Sequence, residues 1–300
     1  MNQFLLKLSS FALLLVAVAC MFEFFVFPNN SNVYSNKYTL LQKLDTEVIV
    51  SGNSHLGFAI LADSLQKESI NIANKARQLE TDIDIILSVD FNLKKKLKHI
   101  LIPISYYSLF SDFKQNDTYV VSQKRLYYQF YKIKHYSQGF LKNRLLINTP
   151  FRELINDSFL LRFMKKNKFS AKGWRANDVV FEKDEAILKK IKNLETAIHA
   201  TVIINNNIKK LENLRAICEQ HNIQLHLVLP PYSSYYYKLT NHQYTNRIKK
   251  ELKALLELPN CNLINSNDFM TTNLNFYENS DHLNKKGAIL YTQKIDSILE

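Results

Sequence analysis

Ser54 lies in the segment V-I-V-S-G-N-S-H, and His282 lies in F-Y-E-N-S-D-H-L-N-K-K-G-A near the far end of the chain. A serine hydroxyl is a weak nucleophile at neutral pH until a base takes its proton, and a histidine is such a base. Together they could attack an ester carbonyl and carry an acyl group. Glu278 and Asp281 flank His282, and a carboxylate behind an imidazole fixes its tautomer and steadies its charged form. Taken alone, Ser54 also reads as a helix N-cap, a place where serine is common. His55, His135 and His242 read as surface histidines. The pairing of an early serine with a late histidine is what points to chemistry, and only the fold can bring the two together.

The elements around them are legible from periodicity. Glu47 to Val50 is a β-branched run feeding Ser51-Gly52, so a strand enters a turn that carries Ser54. Apolar spacing predicts a helix over Leu56–Leu65, a strand at Ile70–Ala73, a helix over Leu79–Leu87 and a strand at His99–Ile104. The rhythm resumes with a helix over Ile208–His221, a strand at Ile223–Leu229, a helix over Arg247–Leu256, a strand at Cys261–Ile264 and a helix over Lys285–Leu299. Alternating strands and helices predict an α/β fold, a doubly wound, mostly parallel sheet covered on both faces. In such sheets ligands sit beyond the carboxyl ends of the strands, where the order of the chain already places Ser54. The following helix start offers backbone N–H groups that could hold an oxyanion. Only 5 glycines occur, and Gly52 and Gly57 flank Ser54, so each asks for a reason.

Between about residues 106 and 192 the pattern changes to a Tyr-, Phe- and Lys-rich stretch that includes Lys165-Lys166-Asn167-Lys168 and the single tryptophan, Trp174. It reads as a largely helical insertion, a lid as a whole, with each single aromatic read as core. The organisation expected is an anchor or signal over 1–28, a linker over 29–45, and one α/β domain over 46–300 that carries the insertion.

Leu5 to Phe27 is apolar apart from Lys7 and Glu23, about 23 residues and long enough to cross a hydrocarbon core of roughly 30 Å. Lys7 and the amino terminus precede the uncharged part, which favours an N-terminus inside and the remainder outside. Two alternatives stand beside an uncleaved anchor: a cleaved signal peptide, or a lipobox at Ala17-Val18-Ala19-Cys20. All three place the domain outside the cytoplasm, membrane-attached or at the cell surface. Cys20, Cys218 and Cys261 make no disulfide framework, and no metal-ligand spacing appears, so neither metal nor cofactor is expected. The net charge of +12 suits an anionic neighbour or a Lys-rich solvated surface. No nucleic-acid-binding pattern accompanies it, so no nucleic-acid partner is expected.

With those residues in view, the chain resembles the SGNH (GDSL-like) hydrolases. S-G-N-S-H is similar to their first block, and D-H-L-N-K-K-G-A to their last, usually D-x-x-H-x-N-x-x-G. The N-terminal anchor is similar to that of extracytoplasmic members acting in cell-surface polysaccharide O-acylation. The resemblance spans about residues 47–300, with specific motifs over some 20 positions. It implies the flavodoxin-like three-layer sandwich of that family, with Ser54 as nucleophile and oxyanion donor and His282 as base. The acid position falls on Asn279, which cannot be an anion, so Asp281, or failing that Glu278, is expected behind the ring. Asn53 stands where the family has Asp. The second block, over Asn71–Gln78, lacks its glycine, leaving Asn74 as a candidate oxyanion donor, and the third lacks its asparagine, with Ser105 a weak substitute.

Two functions follow. One is an esterase or O-acyltransferase acting on a cell-surface glycan or acylated polysaccharide, with a membrane acyltransferase as a further partner. The other is a catalytically impaired module that binds glycan or assembles an export or modification complex. Residues that would bind substrate are not identified by the sequence.

Overall fold

The computed structural model describes residues 2–21, 23, 33–111, 118–137, 139, 170–174, 181, 201–239 and 242–300. In chain order the helices are α1 (Asn2–Met21), α2 (Val33–Leu41), α3 (Ser54–Ala59), α4 (Leu79–Leu87), α5 (Thr118–Tyr131), α6 (Thr201–Gln220), α7 (Ser234–Leu239), α8 (His242–Leu256) and α9 (Lys285–Leu299). The strands are β1 (Val48–Val50), β2 (Ser69–Asn71), β3 (His99–Pro103), β4 (Gln224–Leu229) and β5 (Cys261–Asn265). The chain divides into two compact units, Met1–Thr39 with Lys114–Asn167, and Leu40–Phe113 with Lys168–Glu300.

In the first unit, α1 is exposed along its length and is long and apolar enough over Gln3–Met21 to cross a membrane or serve as a signal sequence. Phe24 to Phe27, which extend the apolar run, lie outside the described residues. The stretch expected to be linker holds α2. Tyr34 and Tyr38, one turn apart on it, meet Tyr127 and Tyr131 of α5 edge-on at 5.6 and 5.8 Å between ring centroids. Aromatic packing of this kind stabilises a helix that aliphatic spacing does not reveal. The insertion read over 106–192 lies mostly outside the described residues, as does Lys165–Lys168.

The second unit is a three-layer α/β sandwich. Its five strands are all parallel in the order β2-β1-β3-β4-β5, with Ile49 opposite Ile70 on one side and Ile100 on the other. Val48–Val50 is buried throughout, as strands covered on both faces must be. The chain runs outward from β1 to β2 and then crosses to β3 on the other side of β1, so the carboxyl ends of β1 and β3 flank the point where winding reverses. A crevice forms there in sheets of this type. α9 lays Ala288, Tyr291, Ile295 and Leu299 into the core beside Val48, Val50 and Leu56. Each buried Ile or Leu contributes about 1.5–3 kcal/mol of transfer free energy, which is what locks the C-terminal helix against the start of the domain.

One sequence expectation is adjusted, and the core reading of the tryptophan holds. The helix expected over Leu56–Leu65 stops at Ala59. Ile60 is extended, and the Leu61 amide donates to Thr292 Oγ1 at 2.9 Å, so α9 draws the chain out of helix while Ile60, Leu61 and Leu65 stay buried. Trp174 is core: it is buried, and its Nε1–H donates to the Phe58 carbonyl at 3.0 Å. Cys218 and Cys261 are buried free thiols.

β3 and β4 carry a histidine pair away from the Ser54 turn. His99 Nδ1 lies 3.1 Å from His226 Nε2. Burial and the neighbouring His99 pull His226 down to about 4 from its ordinary 6.5. The unfolded chain therefore binds a proton there that the folded chain refuses, and stability falls as pH drops from about 6.5 towards about 4. The loss expected across that window is about 3 kcal/mol. Urea titrations of the full chain in detergent at several pH values should give a steeper profile for the wild type than for His226→Gln; parallel profiles would rule this assignment out.

Candidate active site

Two turns at the carboxyl edge of the sheet place the reacting groups. After β1, Gly52 sits at φ +121°, and a Cβ there would lie 2.2 Å from Pro103 Cδ, so only glycine fits on both counts. Ser51 N–H donates to the Leu101 carbonyl at 2.9 Å, and the Gly52 carbonyl accepts from Asn74 N–H at 2.8 Å. Beneath the turn, Arg77 is paired with Asp82 and donates to Ser51 Oγ at 3.1 Å and to the Ile72 carbonyl at 2.9 Å. Asn53 then caps α3 by accepting from His55 N–H at 3.0 Å, and Ser54 begins the helix.

After β5, an antiparallel bridge between Tyr277 and Leu283 closes a short loop, with Glu278 N–H donating to the His282 carbonyl at 2.9 Å. The Ser280 carbonyl accepts from Ser233 Oγ at 2.7 Å, tying the loop to the end of β4. Asn284 caps α9 through Gly287 N–H at 3.1 Å and donates to the Asn275 carbonyl at 2.8 Å, so the asparagine of D-H-L-N is a structural residue.

These turns bring Ser54 and His282 into contact. Ser54 Oγ lies 2.8 Å from His282 Nε2. On the other side of the ring, His282 Nδ1 is 3.0 Å from Asp281 Oδ1 and 3.0 Å from Asn279 Oδ1. Asn279 Oδ1 also accepts from the amides of Asp281 and His282 at 3.2 and 3.0 Å, which fixes that oxygen towards the ring. Behind the imidazole there is thus one carboxylate and one amide oxygen. An N–H on Nδ1 satisfies both, and Nε2 is left as a lone-pair acceptor for the Ser54 proton.

Asp281 is only 4% exposed. Burial alone would raise its carboxyl, but the adjacent His282 charge and the hydrogen bonds of His282 and His55 outweigh it and hold the group well below the ordinary carboxylate range. Its second oxygen, Oδ2, lies 3.2 Å from His55 Nε2, and His55 Nδ1 lies 2.6 Å from Ser105 Oγ. His55 is therefore a buried member of the site and not the surface histidine its sequence position suggested. Ser105 is fully buried and receives an Asn53 Nδ2 hydrogen at 3.0 Å, so it braces His55 instead of facing a ligand. With His55 neutral the donors run in one direction: Asn53 to Ser105, Ser105 to His55, His55 to Asp281, with His282 donating to Asn279 Oδ1 beside the Asp281 carboxylate and Ser54 donating to His282. A buried carboxylate with a donor on each oxygen is far less costly than one left unpaired.

Ser54, Phe58, Lys75, Ala76, Tyr107, Glu278 and His282 line an open cleft of about 530 Å³. Glu278 stands in its wall and not behind the ring; its Oε2 is buried and, among the described residues, has no hydrogen-bond partner. Asn74 is not brought to the reacting pair: its amide is used by Gly52, and its side-chain oxygen accepts from Lys75 N–H at 2.9 Å. The residues that sequence reasoning passed over are His55, beside the serine, and Tyr107, just past β3. A histidine directly following a strand-end serine was the one available signal for the first.

No family model matches the chain, and no curated protein matches it. Among solved structures, a chain from Streptococcus pneumonia described as a candidate platelet activating factor is similar at a TM-score of 0.43 and 9% identity, covering 97% of this chain and 99% of that one.

Proposed function

We propose that this protein is a serine esterase or O-acyltransferase acting on ester groups of a hydroxyl-rich, glycan-like substrate outside the cytoplasm. The single observation that carries the reading is Ser54 Oγ at 2.8 Å from His282 Nε2, with Asp281 behind the ring and the pair opening into a cleft. Ser54 attacks the ester carbonyl while His282 Nε2 takes its proton. The new Oγ–carbon bond and the carbonyl oxygen make a tetrahedral anion. Its collapse breaks the bond to the alcohol, which leaves with the proton from His282, and the acyl group stays on Ser54. Water or an acceptor hydroxyl then attacks, again losing its proton to His282; the bond to Ser54 Oγ breaks, His282 returns that proton to Oγ, and the acyl group departs as acid or new ester. Asp281 stabilises the imidazolium in both halves.

Glycan as the substrate class is supported by the lining. Phe58 and Tyr107 offer aromatic surfaces, and Glu278 Oε2 is a buried acceptor awaiting a donor such as a sugar hydroxyl. Attachment through α1 would hold the domain near exported polymer. Asp281 Oδ1 at 3.0 Å from His282 Nδ1 supports the catalytic reading over a non-catalytic module, whose motives are Asn279 at the expected acid position and the missing oxyanion donors.

The full-length protein in detergent should release acetate from an O-acetylated sugar, or move the acetyl group to a second sugar. Neither activity across a panel of acylated sugars would leave the glycan assignment without support. Glu278→Gln should raise KM for the sugar ester about tenfold, the worth of one hydrogen bond to a charged group, with a small aryl acetate hydrolysed as before. Equal effects on both substrates would remove Glu278 from sugar recognition.

A further inference from the structure

The anion formed on Ser54 needs hydrogen-bond donors aimed at the oxygen where charge develops. Ser54 N–H, at the first position of α3, is one such donor. The hydrogen-bond polarity around Asn53 identifies another. Asn53 Oδ1 accepts from His55 N–H at 3.0 Å, so its orientation is fixed and Nδ2 must donate both hydrogens. One goes to Ser105 Oγ at 3.0 Å and the other to Tyr107 Oη at 2.9 Å. Tyr107 therefore receives a hydrogen bond there, and its own proton must point elsewhere. Among the described residues no acceptor takes that proton, and Tyr107 lines the cleft with Ser54 and His282. It also follows β3, the strand paired with the β1 that leads into the Ser54 turn.

Resting on the esterase reading above, we propose that the Tyr107 O–H is a catalytic residue that donates to the oxyanion of the Ser54-bound tetrahedral intermediate. Asn53 serves two ends at once: it caps the nucleophile's helix and turns the phenol towards the reacting carbonyl. Burial, first, and the negative charge of Asp281 hold the phenol well above its ordinary ionisation range, so it remains a neutral donor wherever His282 can act as base. A donor used mainly in the transition state raises kcat and leaves KM largely alone.

The test compares wild type, Tyr107→Phe and Ser54→Ala as full-length proteins, with kcat and KM on a soluble aryl acetate, affinity for a boronate that forms a tetrahedral adduct, and melting temperature. Tyr107→Phe should lower kcat about 10²–10³-fold, the worth of one oxyanion donor. It should weaken the boronate by a similar factor and leave KM nearly unchanged, with melting lowered only by the loss of the Asn53 hydrogen bond. As a second variant, 3,5-difluorotyrosine at 107 keeps the ring and hydroxyl but is more acidic; its rate should decline with rising pH where the wild type stays flat. A Tyr107→Phe protein within about threefold of wild type in kcat and boronate affinity, or a difluorotyrosine protein with an unshifted profile, would overturn the inference while leaving Ser54 and His282 in their roles. If Ser54→Ala matched the wild type, the esterase reading would itself fall and take this inference with it.

Discussion

Ser54→Ala should slow ester turnover about 10⁴–10⁶-fold, the range seen when the nucleophile of a serine–histidine site is removed. The expectation follows from geometry. The Ser54 hydroxyl is the group that His282 Nε2 meets at 2.8 Å, and among the described residues no other serine hydroxyl pairs with that nitrogen. Ser105, read from the sequence as a weak substitute for an oxyanion donor, is buried and engaged with Asn53 and His55. The fold should tolerate the change. Asn53, not Ser54, caps α3, so the helix keeps its N-terminal hydrogen bond. A melting temperature close to that of the wild type, together with lost turnover measured by acetate release, is the expected pair of results. Residual turnover above about a tenth of wild type would mean that another group starts the reaction.

Asp281→Asn is the second large effect, with kcat expected to fall about 10³–10⁴-fold. Proton placement sets the size of this loss. Asp281 Oδ1 lies 3.0 Å from His282 Nδ1 and its Oδ2 lies 3.2 Å from His55 Nε2, so its ionised form favours an N–H on each ring facing it. An asparagine offers one acceptor and one donor. Whichever way it turns, one histidine loses its acceptor, and the imidazolium loses the charge that steadies it. Asn279 Oδ1 remains behind the ring at 3.0 Å and preserves part of the orientation, which is why the loss should be smaller than for Ser54→Ala. Asn279→Ala, which leaves the carboxylate in place, should cost less than Asp281→Asn. Steady-state kinetics on one aryl ester checks the order, and an Asp281→Asn rate within tenfold of wild type would make Asn279 the effective orienter.

The fold was largely readable because its strands are buried on both faces. Runs such as H-I-L-I-P and Q-L-H-L-V-L stand out against amphipathic helices, and the helix over Leu79–Leu87 begins and ends where apolar spacing places it. α2 and α7 were not readable, because their sequences (V-Y-S-N-K-Y-T-L-L and S-Y-Y-Y-K-L) carry tyrosines among polar residues in place of aliphatic spacing. At the site, Ser54, His282 and Asp281 sit in short segments whose order is informative by itself. His55, Ser105, Asn53 and Tyr107 acquire their places only when β1 and β3 become neighbours, a pairing of residues some 50 positions apart. No local pattern encodes it, and the departures from the resembled family in the acid and oxyanion segments hid it further. The structure puts a carboxylate at His282 from a different position in the loop and a phenol beside the nucleophile's turn.

The central claim is that Ser54 is a nucleophile activated by His282. A fluorophosphonate probe tests it most directly, since it bonds covalently to an activated serine. After exposure of the full-length protein in detergent, peptide mass spectrometry should find the adduct on Ser54 in the wild type and none in Ser54→Ala, with His282→Ala strongly slowed. A correctly folded wild type that stays unlabelled, or carries the adduct on a different serine, would contradict the account.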